Sequence, residues 1–376
     1  MNILKSRREF LESGLKTLAC LSLYSLAANE NASGFFNNEK KYYKKAYFYK
    51  KLGNKAIKCE ICPNSCVVSS GGTGKCKVKR NIEGEYYTIV YSRPAVIQID
   101  NVEKAPLYHF MPNAKMLSIA TAGCNLTCKY CQNWQFSQSS PDQIKSFDLT
   151  PQQVVNKAKQ SGCQVISFFY TEPAVYYEYM YDIALIAKKA GLKTIMVTAG
   201  YINLEPLRYL SNVIDAFTVG LKGFNDNYYR SVIGGNIEPV KNTLKFLKTN
   251  HKHIEIVNLV VPTLNDNQSE INSLVKWVKT NLSNDIPLHF AKFAPQYKLQ
   301  NLPPTSLNTL NKSLQIAKDN GLKYAYIDNL PGHEGQNTYC PTCKKSIVRR
   351  VGFKAVENSI KSSRCVYCGA EIYGKW

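Results

Sequence analysis

Thirteen cysteines in 376 residues fall in clusters rather than scattered along the chain. They form three groups: Cys59, Cys62, Cys66 and Cys76; Cys124, Cys128 and Cys131; and Cys340, Cys343, Cys365 and Cys368. Only Cys20 and Cys163 stand alone. Disulfide frameworks belong mostly to short secreted chains, whereas CxxC knuckles in a long chain present paired thiolates to one metal. The expected chemistry is metal ligation at up to three sites. The middle group reads Cys-x3-Cys-x2-Cys, three thiolates where an iron–sulfur cluster usually takes four. A four-iron cluster held by three ligands keeps one iron open for a substrate. Zinc with a fourth, non-cysteine ligand is the alternative.

Those cysteines need elements to position them. Leu117–Thr121 is strand-like and leads directly into Cys124. Strands are also expected at 86–91, 95–99, 165–170, 194–198, 214–219, 254–261, 288–293 and 323–327. Helices lie between the later ones. One has Thr150 as N-cap with Pro151 at its first position, another covers 176–190, and a third covers 306–320. Strands alternating with such helices imply an α/β fold with a parallel sheet, open or barrel-shaped. Such folds place chemistry at the carboxyl ends of their strands.

The cysteine loop resembles the radical S-adenosylmethionine superfamily, whose hallmark is CxxxCxΦC with an aromatic Φ, here Tyr130. The resemblance implies a 4Fe–4S cluster on Cys124, Cys128 and Cys131. Its open iron chelates S-adenosylmethionine, and an electron cleaves the sulfonium to methionine and a 5′-deoxyadenosyl radical that abstracts hydrogen from a substrate. Tyr170-Thr171-Glu172-Pro173 matches the position of a Gly-Gly-Glu-type motif, so Thr171 and Glu172 are expected at the amino group of S-adenosylmethionine. Gly220-Leu221-Lys222-Gly223-Phe224 resembles an Asp-Leu-Lys-Gly-Phe stretch, with Gly220 replacing the Asp and Lys222 able to reach a carboxylate. Leu288–Pro295 resembles a late-barrel motif that places His289 toward the pocket, although a lone strand histidine also fits the core.

The closer resemblance is to the AmmeMemoRadiSam group, related to pyruvate formate-lyase activating enzymes. It covers roughly residues 56–376. It rests on Cys59-x2-Cys62-Pro63-x2-Cys66 with Gly74-Lys75-Cys76, on Glu103–Phe110, on Gln132-Asn133, on Asn258–Pro262 with Asn265-Asp266, and on Pro331–Cys340. The implied fold is a partial (β/α)6 barrel with small Cys-rich modules at both ends. The implied substrate class is a protein glycyl or backbone position. A low-potential electron donor is the implied partner.

Cys340-x2-Cys343 and Cys365-x2-Cys368 resemble a zinc ribbon, a closed four-thiolate structural site, with an auxiliary cluster as the alternative. For Cys59, Cys62, Cys66 and Cys76, zinc, an electron-relay cluster and disulfides all remain open. Cys163, beside an apolar run, reads as a small buried hydrophobe.

Ser6-Arg7-Arg8-Glu9-Phe10-Leu11 and the apolar stretch after it resemble a twin-arginine leader, read by an export receptor, which implies a periplasmic location. An amphipathic helix of a cytoplasmic chain is the alternative. The expected organisation is a leader over 1–28, a polar linker over 29–55, a Cys-rich module over 56–110, a core barrel over 111–335 and a zinc-ribbon-like module over 336–376. No apolar run reaches membrane-spanning length. The formal charge of +21 admits nucleic acid as a partner. Two other functions therefore stand beside the radical enzyme acting on protein: the same chemistry acting on RNA, and a basic zinc-ribbon binding protein whose barrel has lost activity.

Overall fold

In a computed structural model of the protein, residues 40–376 are described. The expected leader and the first part of the expected linker lie outside them. Of the unit Met1–Tyr43 the described part is a 3-10 turn at Lys40–Tyr42. The second unit, Lys44–Trp376, carries everything below.

Its N-terminal strands are β1 (Lys44–Lys45), β2 (Tyr49–Lys51), β3 (Ile57–Cys59), β4 (Val67–Val68), β5 (Lys79–Ile82) and β6 (Glu85–Thr88). They form two three-stranded sheets, ordered β1-β6-β5 and β2-β3-β4. Within the expected linker, residues 44–45 and 49–51 are thus strands. Their lysines stay largely in solvent while aromatic side chains anchor the backbone. Phe48 sets its ring edge-on to Tyr177 at 5.1 Å, and Tyr49 lies 5.8 Å from Tyr86.

The main sheet contains β7 (Val96–Asn101), β8 (Lys115–Ala120), β9 (Val165–Phe168), β10 (Lys193–Thr198), β11 (Ala216–Gly220), β12 (His253–Val260), β13 (Leu288–Lys292) and β14 (Ala325–Asp328). They lie side by side in chain order, with β7 antiparallel to β8 and every later pair parallel. The expected α/β architecture of successive βα units is therefore present, with a seventh parallel strand, β14, after the sixth unit. Strands covered on both faces should read as continuous apolar runs, and Val165–Phe168 is buried at every position.

Helices between the strands bury one stripe each. In Gln268–Asn281 it is Ile271, Leu274, Val275 and Val278, one face at helical spacing. The helix Pro151–Gln160 starts where expected: the Thr150 hydroxyl accepts from Gln153 N and the Gln153 side chain accepts from Thr150 N.

Residues 102–114 have no regular period, and they fill one end of the sheet's concave side. Val102, Ala105, Leu107, Phe110 and Ala114 pack on Met116, Val165, Ile195 and Ala216. Thr218 Oγ1 donates to Ala105 O at 2.6 Å, and Tyr108 N and His109 N donate to the Glu255 carboxylate at 3.0 and 2.8 Å.

The C-terminal strands β15 (Thr338–Tyr339), β16 (Ser346–Arg350), β17 (Ala355–Asn358), β18 (Ile360–Lys361) and β19 (Arg364–Cys365) form two small sheets. Their core joins Tyr108, Tyr324 and Tyr326 of the barrel. Among the described residues no helix is long and apolar enough to cross a membrane.

Candidate functional site

The loop after β8 carries the three central cysteines, and its neighbours fix it bond by bond. Gly123 adopts φ +88°, a left-handed conformation that glycine enters without cost. Thr127 N donates to Ile233 O at 3.0 Å and Lys129 N to Val232 O at 2.9 Å, so the π-helical turn Tyr229–Ile233 grips the loop from one side. Gly234 ends that turn at φ +83°, where any Cβ would collide with the Thr127 hydroxyl. From the other side Lys298 N donates to Lys129 O at 2.9 Å, and Trp134 stacks on Tyr297 at 5.2 Å.

Cys124, Cys128 and Cys131 line one cavity of about 280 Å³ together with Tyr130, Thr171, Glu172 and Lys222. Thr198, Gly220, Leu259, Ala291 and Asp328, at or near the carboxyl ends of β10 to β14, complete the ring. The sheet therefore curls round this cavity as a partial barrel does. Seven of the eight site residues named from the sequence outside the two cysteine quartets line this one cavity. They are Cys124, Cys128, Tyr130, Cys131, Thr171, Glu172 and Lys222. His289 is absent from the lining.

Glu172 serves two purposes at once. It caps the turn Pro173–Tyr176, accepting from Ala174 N, and also accepts from Thr198 Oγ1 at 2.7 Å and Ala199 N at 2.8 Å. Burial pushes its carboxyl pKa up, against those bonds and the Lys222 charge. A carboxylate so oriented suits an ammonium group. Tyr170, at φ +70°, turns its carbonyl to accept from Asn133 Nδ2 at 2.8 Å. Strained backbone of this kind concentrates at functional sites.

Lys222 sits in room that Gly220 leaves: its Nζ lies 3.3 Å from where a Cβ on residue 220 would stand. Its backbone is held by Tyr229 Oη, which accepts from Lys222 N, and by Asn265 Nδ2, which donates to Lys222 O at 2.7 Å. Gly200, at φ +68°, faces Val219 and Val240 rather than the cavity, so its role is packing.

Burial raises the Cys124 thiol well above its ordinary pKa and lifts Cys128 to about 11, with Lys222 pulling Cys128 back. Without a metal these thiols stay protonated. Three sulfur donors converging on one cavity fit an iron–sulfur cluster, not a hard oxygen-seeking cation. An adjacent carboxylate and ammonium fit the zwitterionic end of an amino acid.

His289, expected at the cofactor, lies fully buried outside the cavity lining. Its Nδ1 meets Asp328 Oδ2 at 2.8 Å and its Nε2 meets Glu255 Oε2 at 2.9 Å. Asp328 and Lys104 reach the cavity instead. Lys104 pairs with Asp100 at 3.0 Å. Asp328 ends β14, so the rule that chemistry follows strand ends would have found it. Lys104 carries no such signal.

Cys340, Cys343, Cys365 and Cys368 bring all four sulfurs within 4.8 Å of one another. Cys340 and Cys368 are 3.6 Å apart, and Cys343 and Cys365 are 3.8 Å apart. Cys59, Cys62, Cys66 and Cys76 line a second, smaller cavity. Cys163 is buried, as a small hydrophobe would be.

The Radical SAM superfamily profile matches residues 118–278, the stretch from β8 to the helix after β12. The chain is 41% identical over 331 residues to the uncharacterized protein MJ0808 of Methanocaldococcus jannaschii, covering 88% of this chain and 98% of that one. It is 25% identical over 201 residues to the pyruvate formate-lyase-activating enzyme of Clostridium pasteurianum, 48% of this chain and 80% of that one. A radical SAM methyltransferase structure from Sphaerobacter thermophilus is similar at TM-score 0.46 and 15% identity, over 60% of this chain and 71% of that one.

Proposed function

The chain belongs to the radical SAM superfamily, and on that footing we propose that it cleaves S-adenosylmethionine reductively at Cys124, Cys128 and Cys131 to abstract hydrogen from a polypeptide. The observation that carries this reading is the meeting of three thiols, Glu172 and Lys222 in one cavity at the strand ends. Cys124, Cys128 and Cys131 would hold a four-iron cluster, which would supply the electron for reductive cleavage of S-adenosylmethionine.

The chain's own groups do the rest. Glu172 would face the ammonium of S-adenosylmethionine and Lys222 its carboxylate, orienting the bond to be broken. The contacts of Lys298 and the π-turn hold the cysteine loop in place. Asp328 and Lys104 offer an acceptor and a donor on the remaining wall, where a peptide amide finds both partners. Similarity to an enzyme that activates pyruvate formate-lyase supports a polypeptide substrate.

Glu172→Gln tests the binding role. The amide keeps the acceptor for Thr198 but turns an N–H toward Ala199 N–H and removes the charge. A hydrogen bond to a charged group is worth about 1.5–3 kcal/mol, so S-adenosylmethionine should bind roughly 10–100-fold more weakly. Equilibrium dialysis with the reconstituted, unreduced protein reads this directly. Unchanged affinity at full iron content would remove Glu172 from the site.

For the C-terminal quartet we propose zinc. Sulfurs 3.6 and 3.8 Å apart match the edges of a tetrahedron with bonds of about 2.3 Å. A short segment with little core of its own gains from such a staple. Metal analysis should find one zinc that Cys340→Ser releases, with the iron content unchanged. Loss of iron in that variant would instead assign a cluster there.

A further inference from the structure

We propose that Cys59, Cys62, Cys66 and Cys76 hold a second iron–sulfur cluster, placed to pass an electron toward the cavity at Cys124, Cys128 and Cys131. Its electron-passing role rests on the function proposed above; its presence does not.

Four thiols meet the ligand count an iron–sulfur cluster needs. They come from β3, from the turn after it and from the segment before β5, and they converge on one enclosed cavity. Their spacing separates them from a single-ion site. Among the described residues, the C-terminal quartet is the group of three or more ligands gathered closely enough for one ion, its four sulfurs all within 4.8 Å of one another. The N-terminal four line a common void without forming such a close group, and so do the three cysteines after β8. Wide sulfurs around a void suit a polynuclear group, and close sulfurs suit one ion.

Tyr86 gives an independent sign of contents. It is fully buried, it lines the same cavity, and its hydroxyl faces the Cys59 sulfur. A buried hydroxyl takes a hydrogen-bond acceptor, and metal-bound thiolate is a better one than a neutral thiol. Inorganic sulfide or cluster thiolate supplies one. Gly74 clears the space, since a Cβ there would lie 2.6 Å from the Tyr86 oxygen. The buried Lys79 ammonium also lines the cavity and is held by Glu178 at 2.6 Å, placing a positive charge beside an anionic cluster.

The cavity adjoins the central cysteine loop on both sides of Cys124. A Cβ on Gly123 would collide with the Cys76 carbonyl and lie 2.6 Å from Val78 Cγ1. On the far side Asn64 Nδ2 donates to Asn125 O at 2.7 Å, and Asn125 itself lines the N-terminal cavity. Protein atoms in direct contact thus connect the two sites. One electron leaves the N-terminal cluster and enters the central site, and an external low-potential one-electron donor restores it. No bond or proton moves.

The test separates the two sites. The triple variant C124A/C128A/C131A, reconstituted anaerobically with iron and sulfide, should retain about four iron and four sulfide at the N-terminal site. It should show an iron–sulfur absorbance and, with dithionite, a paramagnetic signal that S-adenosylmethionine does not perturb. Adding C59A and C76A should abolish both. Zinc in place of iron, or no metal, in the triple variant would overturn the proposal. In a chain with the central cysteines intact, Cys76→Ala should slow dithionite-driven 5′-deoxyadenosine formation at least several-fold while leaving S-adenosylmethionine affinity unchanged. An unaltered rate would refute the relay. If the wild-type chain forms no 5′-deoxyadenosine yet the triple variant holds iron, the function proposed above fails and the second cluster stands.

Discussion

Cys128→Ala should lose the central cluster and, with it, all S-adenosylmethionine cleavage above background. The side chain is small and buried, with its sulfur 3.9 Å from Ile233 O, so deleting one sulfur leaves the surrounding packing nearly intact. Two thiolates remain, below the three already needed to hold a four-iron group with one open corner. Loss of even an outer partner of a metal ligand typically costs about 10–100-fold, and loss of a ligand costs more. The expected fall in 5′-deoxyadenosine therefore exceeds that range. Iron should drop by one cluster's worth while circular dichroism and the zinc content are retained. A variant that keeps both its iron and its turnover would mean that Cys128 is not a ligand.

His289→Gln is expected to cost stability rather than chemistry. Burial pulls the imidazole down, but the Asp328 and Glu255 carboxylates outweigh it and hold its pKa at about 9, so it is a cation at neutral pH. Glu255 lies well below the usual carboxylate range despite its burial, because His253 and His289 both hydrogen-bond it. Tyr108 lies edge-on to the His289 ring at 4.8 Å and Tyr326 stacks on it at 5.0 Å. Glutamine removes the cation and leaves two buried carboxylates facing each other. Breaking such a network costs about 3–5 kcal/mol, or roughly 4–6 °C in unfolding midpoint for a chain of this length.

The pH dependence has a definite sign. His289 has a folded pKa raised from 6.5, so its contribution is complete below pH 6.5 and is lost as pH rises through about 9. Glu255 is depressed from 4.5, so its contribution is present above pH 4.5 and is lost on acidification. Wild-type stability should decline between pH 6.5 and 9, and His289→Gln should lack that decline. Parallel urea midpoints for the two proteins across this window would contradict the assignment.

What the sequence disclosed depended on how local the cause was. Val165–Phe168, Lys193–Thr198 and Leu288–Lys292 are nearly continuous apolar runs because both sheet faces are covered, and they were readable as such. Thr150-Pro151 announced its helix for the equally local reason of a cap. The cysteine loop and Glu172 follow strand ends, so position and type together pointed to the cavity. Residues 102–114 were not readable, because their order comes from Glu255, some 147 residues away, and from apolar partners on four strands. The π-turn Tyr229–Ile233 was equally hidden, since its purpose is to offer carbonyls to Thr127 and Lys129. His289 had the right residue type for a pocket, but two carboxylates on neighbouring strands draw it into the core.

Those distant contacts set the geometry around Cys124, Cys128 and Cys131, and the chemistry there is open to one direct measurement. The anaerobically reconstituted wild-type protein should be given dithionite and S-adenosylmethionine, and 5′-deoxyadenosine and methionine quantified together by mass spectrometry. The predicted result is equal formation of both products, requiring the reductant and scaling with iron at the central site. A fully assembled central cluster that binds S-adenosylmethionine yet yields neither product would contradict the account.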